Sequence, residues 1–279
     1  MFHGSCYKER IKKGANTFTN YIKKINLPSA RGSDMGMVKR EREKGFSGIN
    51  KATAMTGRFV HEKVLEITAT LPKGKLLDIP CGQGALGERL RAQGFDIYCG
   101  DIDPEWYRIE GGHFHRVDLN GNLPYKDHSF ACVTCVEGIE HLENPHLLIR
   151  EISRILGIGG RVVITTPNIM KIKSRLHFLL RGYFDDFRKL SQPSNKRELL
   201  GLHINPIPFV ELKYILERYG FRIEIVSCSR FVKQYLWVIP FLMPLIWFMT
   251  HRKNQEARFL LRRELLRGDI MIILARRIE

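Results

Sequence analysis

Apolar residues in this chain come in short runs, parted by glycine-rich turns and by amphipathic stretches about three turns long. Lys75 to Ile79 reads as a buried strand and Ala85 to Gln93 as a helix, and a second strand-like run ends at Asp101. Ser129 to Cys135 predicts a strand and Pro145 to Leu156 a helix. A Gly157-Ile158-Gly159-Gly160 turn follows, then a strand from Arg161 to Thr166 closed by Pro167-Asn168. Further on, Phe209 to Tyr219 has helical spacing, Phe221 to Ser227 strand character, and Asp269 to Ala275 reads as a seventh strand. Strand and helix alternating over residues 71–168 is the pattern of a doubly wound α/β sheet.

The remaining segments are appendages to that sheet. Residues 1–45 form a basic leader, helical around Phe18 to Ile25, and residues 46–279 form the α/β domain. Residues 46–70 predict a helix before the core, carrying Arg58, Phe59 and Glu62. Residues 170–200 form a basic, aromatic-rich insertion, and residues 231–254 an apolar one. Within the latter, Gln234 to Thr250 holds no charged residue and is flanked by Arg230, Lys233, Arg252 and Lys253. As a helix it would reach only about 25 Å, short of a hydrocarbon core of about 30 Å, and Pro240 and Pro244 would bend it. A single crossing would also put the sixth and seventh strands on opposite sides of a bilayer, where they could not pair. The run is therefore expected either to dip into a membrane interface through residues 235–250, using Tyr235, Trp237 and Trp247, or to pack as a lid or hairpin. Residues 256–267 are expected to form a basic amphipathic helix bearing Phe259, Leu260, Leu261, Leu265 and Leu266.

Charge sharpens this division. The net charge of +16 is concentrated at the ends: +7 in residues 1–45 and +6 in residues 230–279, against +3 for everything between. Nucleic acid is a less favoured partner than anionic lipid, because the basic end carries the apolar run. Of six cysteines, most lie in predicted strands or in the glycine turn. Cys132 and Cys135 form a C-x-x-C along a buried strand without a second pair, so reduced structural thiols are expected rather than zinc ligands. That implies a reducing compartment, cytoplasmic, with contact at the inner face of the membrane.

The chemistry is concentrated in Asp78-Ile79-Pro80-Cys81-Gly82-Gln83-Gly84-Ala85-Leu86-Gly87. Glycines between a strand and a helix let backbone N–H groups approach a ligand, and Asp101, ending the next strand, is placed to accept hydrogen bonds from a ribose diol. Gly82-x-Gly84-x-x-Gly87 formally fits a dinucleotide fingerprint. Asp78 would repel a pyrophosphate, however, and suits a cofactor bearing an ammonium and a sulfonium, as S-adenosylmethionine does. The window resembles motif I of class I S-adenosylmethionine-dependent methyltransferases, with Pro80 in place of the first glycine. His115-Arg116-Val117-Asp118-Leu119, the Glu137-to-Pro145 block and the strand closed by Pro167-Asn168 extend the likeness. The order resembles the branch holding ubiquinone-biosynthesis O-methyltransferases and bacterial glycan and lipid methyltransferases.

That resemblance implies a Rossmann-like seven-stranded sheet with an antiparallel last strand. It implies S-adenosylmethionine held by Asp78, Pro80, Cys81, Gly82, Gly84, Asp101 and Ile102, with Asp118 and Leu119 at the adenine and Glu137 nearby. It also implies a glycan, lipid-linked or quinone-like acceptor, over which the 170–200 insertion closes. His141, after the fourth strand, and His203, in a His-x-x-Pro context, are candidate bases for an alcohol. For each, a structural hydrogen bond that fixes a loop is an equal alternative. Glu137, Glu140 and His141 would share one helical face, the place where quinone-biosynthesis relatives are implicated in holding a divalent metal, although no metal is expected here. A nicotinamide-dependent oxidoreductase and a non-catalytic cofactor-binding module remain the rival readings.

Overall fold

The computed structural model describes residues 52–57, 59–187, 193–233, 236–238, 240–242, 244, 247–248 and 261–279. The basic leader, Arg58, and Phe259 and Leu260 of the expected basic helix lie outside the described residues. Helix α1 (Val60–Ala69) leads into β1 (Lys75–Asp78), α2 (Ala85–Ala92), β2 (Asp96–Asp101), β3 (His113–Arg116) and β4 (Phe130–Val136). Then come α3 (Pro145–Ile155), β5 (Leu156–Pro167), α4 (Ile172–Arg181), α5 (Lys196–Leu200), α6 (Phe209–Arg218), β6 (Phe221–Cys228), α7 (Arg263–Arg267) and β7 (Ile270–Arg277). The seven strands form one sheet in the order β3-β2-β1-β4-β5-β7-β6. β1 to β5 run parallel, and β7 pairs antiparallel with both β5 and β6. This is the expected Rossmann-like sheet with its antiparallel last strand.

Alternation along the strands divides the core in two. Leu77 of β1 and Ile79 just after it face a cluster with α3 and α6, while Leu76 faces one with α1 and α2. Two faces covered by helices require apolar residues on both sides of the strand. Helix α3 shows what stabilises such an element. Asn144 caps it, its side chain accepting from the Leu147 N–H at 3.2 Å, and Pro145 occupies the first turn. Such a cap contributes about 1 kcal/mol. Leu148, Ile149, Ile152 and Ile155 are fully buried, and at about 1.5–3 kcal/mol each their burial outweighs the cap several-fold.

Three local expectations change. The Gly157–Gly160 turn is instead the beginning of β5, which joins β4 across a register shift between Phe130 and Cys132. Pairing with β4 captures backbone groups that a free turn would leave to water. The pre-core helix begins only at Val60, after Phe59 with φ 68°. Of the expected basic helix, Arg263–Arg267 is helical among the described residues, with Leu265 and Leu266 buried. No helix among the described residues is long and apolar enough to cross a membrane.

The parallel strands end along one edge, where β1 delivers Asp78, β2 Asp101, β4 Glu137 and β5 Pro167. Antiparallel pairing of Pro167 with Ile270, and of Cys228 with Met271, brings the end of β6 and the beginning of β7 to the same edge. The 170–200 insertion and the 229–268 excursion therefore both leave the sheet where open α/β sheets bind ligands.

Candidate active site

The cofactor half of the edge is built around the turn from β1 to α2. Asp78 is buried, and the Thr134 hydroxyl of the neighbouring strand donates to its Oδ1 at 2.7 Å, while Oδ2 has no hydrogen-bond partner. Burial, helped by the charge of Asp101 and opposed by the Thr134 bond, pushes the Asp78 carboxyl up to about 7. A buried acceptor left unpaired at the mouth of a glycine turn fits a cationic ligand group. Next along the chain, Pro80 lies against Gly138, where a Cβ would come within 2.3 Å of the proline ring. The Cys81 N–H donates to the Gly100 carbonyl at 2.9 Å, tying the turn to β2, and its thiol is buried.

Gly84 has φ 87°, and a Cβ there would meet Ile109 at 2.6 Å, so only glycine fits this position. The Gly82 N–H donates to Asp101 Oδ2 at 2.8 Å and the Asp103 N–H to Oδ1 at 3.2 Å. The acidic residue thus organises the turn as well as facing the site, beside Ile102. Burial raises the Asp101 carboxyl, against the pull of these backbone donors. A strap before α1 crosses above: the Thr53 N–H donates to Gln83 Oε1 at 2.8 Å, and Met55 Sδ would lie 3.5 Å from a Cβ at Gly82. Asp118 is exposed, and its Oδ1 accepts from the Asn120 N–H at 2.9 Å, while Leu119 is buried in the core.

The second half of the edge assembles residues from distant segments. Residues 139–141 form a single 3-10 turn, and Glu137 stands before it with φ 50°. This corrects the expected helical face of Glu137, Glu140 and His141, because the chain leaves β4 through Gly138 without starting a helix. Glu137 Oε1 has no hydrogen-bond partner, and burial together with the charges of Asp186 and Asp269 pushes its carboxyl up to about 7. Glu140 is fully buried with neither carboxylate oxygen hydrogen-bonded. Burial, then the nearby Glu137, holds its carboxyl well above the usual range.

In place of Glu137, His203 joins Glu140 and His141. The N–H groups of Ile204 and Asn205 both donate to the Glu140 carbonyl at 3.0 Å, and Asn205 Nδ2 donates to the Leu142 carbonyl at 3.1 Å. The two imidazoles meet edge to face, with centroids 4.9 Å apart. One ligand-type atom from each of Glu140, His141 and His203 lies within 4.8 Å of the others. His141 Nδ1 is 2.9 Å from the Leu202 carbonyl, and His203 Nδ1 is 3.0 Å from the Asp186 carbonyl. A carbonyl only accepts, so the neutral His203 ring carries its proton on Nδ1 and keeps a lone pair on Nε2, whereas His141 faces the Glu137 carbonyl as well as that of Leu202. Burial lowers the pKa of both rings, against the pull of these carbonyls.

Sequence reasoning missed Thr134, Lys171, Asp186 and the strap at Thr53 and Met55. A signal existed for Thr134, a hydroxyl in a strand otherwise of Phe, Ala, Cys and Val, beside β1. Nothing in the insertion marked Lys171, whose Nζ is buried among Asp185, Asp186 and Asp269.

Comparison with known proteins identifies the family. The family described as "Methyltransferase domain" matches residues 54–226. A ubiquinone biosynthesis O-methyltransferase of Psychrobacter arcticus is 27% identical over 178 residues, 53% of this chain and 68% of that protein. Its counterpart in Pseudomonas fluorescens is 24% identical over 63% of this chain and 89% of that protein. Among solved structures, a SAM dependent methyltransferase from Archaeoglobus fulgidus superposes with a TM-score of 0.52 at 19% identity, covering 78% of this chain and 93% of that one. The glycine turn left two cofactors open, and the orphaned Asp78 and the family match together select S-adenosylmethionine. The chain belongs to the methyltransferase-domain family, as a class I S-adenosylmethionine-dependent enzyme related to the ubiquinone-biosynthesis O-methyltransferase branch.

Proposed function

We propose that this methyltransferase acts on a hydroxyl group of a quinone-like, lipid-linked or glycan acceptor met at a membrane surface. One observation carries the oxygen-acceptor reading: two neutral imidazoles, His141 and His203, lie edge to face, each with Nδ1 committed to a backbone carbonyl. An alcohol must lose a proton as its oxygen is methylated, and a base with a lowered pKa is already unprotonated at neutral pH.

S-adenosylmethionine, when bound, supplies a methyl group on a cationic sulfonium, a leaving group that needs no protonation. The chain's own residues hold the partners and move the proton. Asp101 accepts from the ribose hydroxyls, Asp78 and the turn at Pro80, Cys81, Gly82 and Gly84 hold the amino-acid end, and Ile102 lines the ribose side. Asp118 and Leu119 meet the adenine, and Glu137 faces the methyl-donor end. The 170–200 insertion covers the acceptor, excludes water and fixes its hydroxyl in line.

The acceptor class rests on the likeness to ubiquinone biosynthesis O-methyltransferases and on exposed rings among the described residues of the 231–254 insertion. Trp237 and Phe241 are 73% and 76% exposed, with Trp247 and Phe248 also open. Arg230 and Lys233 precede them, a pairing of rings and cations that suits an anionic headgroup layer at the inner face of the membrane.

The test is transfer of a labelled methyl group to a membrane extract, with products partitioned between organic solvent and water. His203→Gln or His141→Gln is expected to lower turnover by about 10²–10⁴-fold with cofactor affinity unchanged by calorimetry. Near-normal turnover in both variants overturns the base assignment.

A second reading has its own observation, the meeting of Glu140, His141 and His203 within 4.8 Å. One carboxyl and two imidazoles suit a borderline divalent cation, which would lower the pKa of an acceptor hydroxyl. Dialysis against a chelator separates the two: activity that survives is base chemistry, and activity restored only by a divalent ion is metal chemistry.

A further inference from the structure

His203 is held from one side by the backbone carbonyl of Asp186, and Asp186 has an unusual setting. Its φ of 70° is left-handed, a conformation that a non-glycine residue keeps only when its surroundings impose it. The Phe187 N–H, closing a turn on the Phe184 carbonyl at 3.1 Å, sets that conformation, and the carboxylate is held by Lys171, whose side chain is 2% exposed and whose Nζ lies 3.1 Å from Asp186 Oδ2. The other carboxylates around that ammonium have further cations. Asp269, 2.9 Å from Lys171 Nζ, also receives Arg230 at 2.9 Å, and Asp185 receives Lys173 at 2.7 Å and His177 at 3.2 Å. Among the described residues, Lys171 is the one cation within ion-pair distance of Asp186. The lysine is itself anchored at the end of β5, because its N–H donates to the Asn168 carbonyl. Asn168 Nδ2 in turn donates to the carbonyls of Glu264, Leu265 and Gly268.

We infer that Lys171 is a positioning residue: its buried ammonium fixes Asp186, and the Asp186 carbonyl fixes His203 as the Nδ1–H tautomer with Nε2 turned to Glu140 and His141. The inference rests on the proposed role of His203 Nε2 and serves it whether that nitrogen takes a proton or holds a cation. A purely structural ion pair would tie the insertion to the sheet without selecting a tautomer. Tautomer selection follows because the carbonyl accepts and cannot donate, so a ring released from it is free to carry its proton on either nitrogen. Lys171 thereby couples a covering insertion to the protonation pattern of a base: the insertion must be seated on the sheet for Nε2 to be bare.

The test is a long-range proton–nitrogen correlation spectrum of the full-length, nitrogen-labelled protein near pH 8, where His203 is neutral, with its ring assigned through His203→Gln. Wild type is expected to show His203 as Nδ1–H alone. Lys171→Met and Asp186→Gly are expected to show mixed tautomers, to lower turnover on the membrane extract about ten- to a hundredfold, and to leave cofactor affinity unchanged. Asp186→Gly keeps the decision open should Lys171→Met fail to fold, since glycine occupies the left-handed region without strain. A pure Nδ1–H ring in folded Asp186→Gly, or a wild-type ring protonated on Nε2, overturns the inference. Normal turnover in His203→Gln would instead overturn the role of His203 itself, a separate measurement.

Discussion

The two halves of the carboxyl edge are built by different means. The cofactor half is local: Asp78, Gly82, Gly84 and Asp101 lie within 24 residues, and its key contacts are backbone bonds from a turn to the next strand. The acceptor half joins Glu140 and His141 to His203, some sixty residues on, and secures them through Lys171, Asp186 and Asp269. The first kind of site is carried by strand ends and a short turn, so it survives wherever the sheet does. The second depends on how an insertion seats against the sheet, which makes it the half that can vary with the acceptor.

Breaking the local half should produce the largest effect. Asp101→Ala removes the acceptor of the Gly82 and Asp103 N–H groups together with the proposed ribose contacts. Hydrogen bonds to a charged group contribute about 1.5–3 kcal/mol each, so loss of two is expected to weaken S-adenosylmethionine binding by about a hundredfold or more. Calorimetry on the folded variant checks this, and unchanged affinity would remove Asp101 from the site.

Acid should loosen the same half from beneath. His61 on α1 is buried, Nδ1 has no partner, and burial aided by Arg89 lowers its pKa to about 4. The unfolded chain binds this proton near pH 6.5 and the folded chain only near 4, so its contribution is fully present above about 6.5 and is lost as pH falls towards 4. The loss reaches about 3 kcal/mol at 1.36 kcal/mol per unit. Denaturant melts should show His61→Gln with a flatter acid limb than wild type; an identical limb would refute the assignment.

Cofactor binding should also follow pH more gently. Asp78 and Glu137 both sit near 7, and a cationic ligand favours their ionised forms. Affinity is therefore expected to fall below pH 7, by at most about tenfold per pH unit for each group. Asp78→Asn should bind more weakly and with a shallower pH dependence. A pH-independent wild type would show that neither carboxylate meets the cofactor's charge.

The smallest effect is reserved for the surface. Trp237→Ser with Phe241→Ser should leave the melting temperature unchanged, because both rings are largely exposed, yet make binding to anionic vesicles fully reversible by salt. Vesicle pelleting that ignores these changes would assign the segment to a lid instead.

The difference between the halves also separates what could be read from the chain and what could not. The strands, the glycine turn, Asp78 and Asp101 were legible because short apolar runs and a glycine-rich turn are local patterns. His141 and His203 were legible as candidates, but their meeting was not. The helical face drawn through Glu137, Glu140 and His141 failed because spacing assumes a helix, and the chain passes Gly138 as a 3-10 turn. Thr134 could have been found by pairing β4 with β1. Lys171 and Asp186 could not, since a lysine among isoleucines and an aspartate in a loop look like solvated charges until their partners are known.

The sequence by itself therefore determined the sheet and the glycine turn and favoured S-adenosylmethionine over a nicotinamide, because each depends on residues near one another along the chain and on backbone geometry that glycine and proline impose. Only the tertiary structure decided which ring nitrogens face carbonyls, which carboxyls burial raises and which cation holds the insertion. Protonation and tautomer follow from burial and from the facing donor or acceptor, and both are properties of neighbours in space.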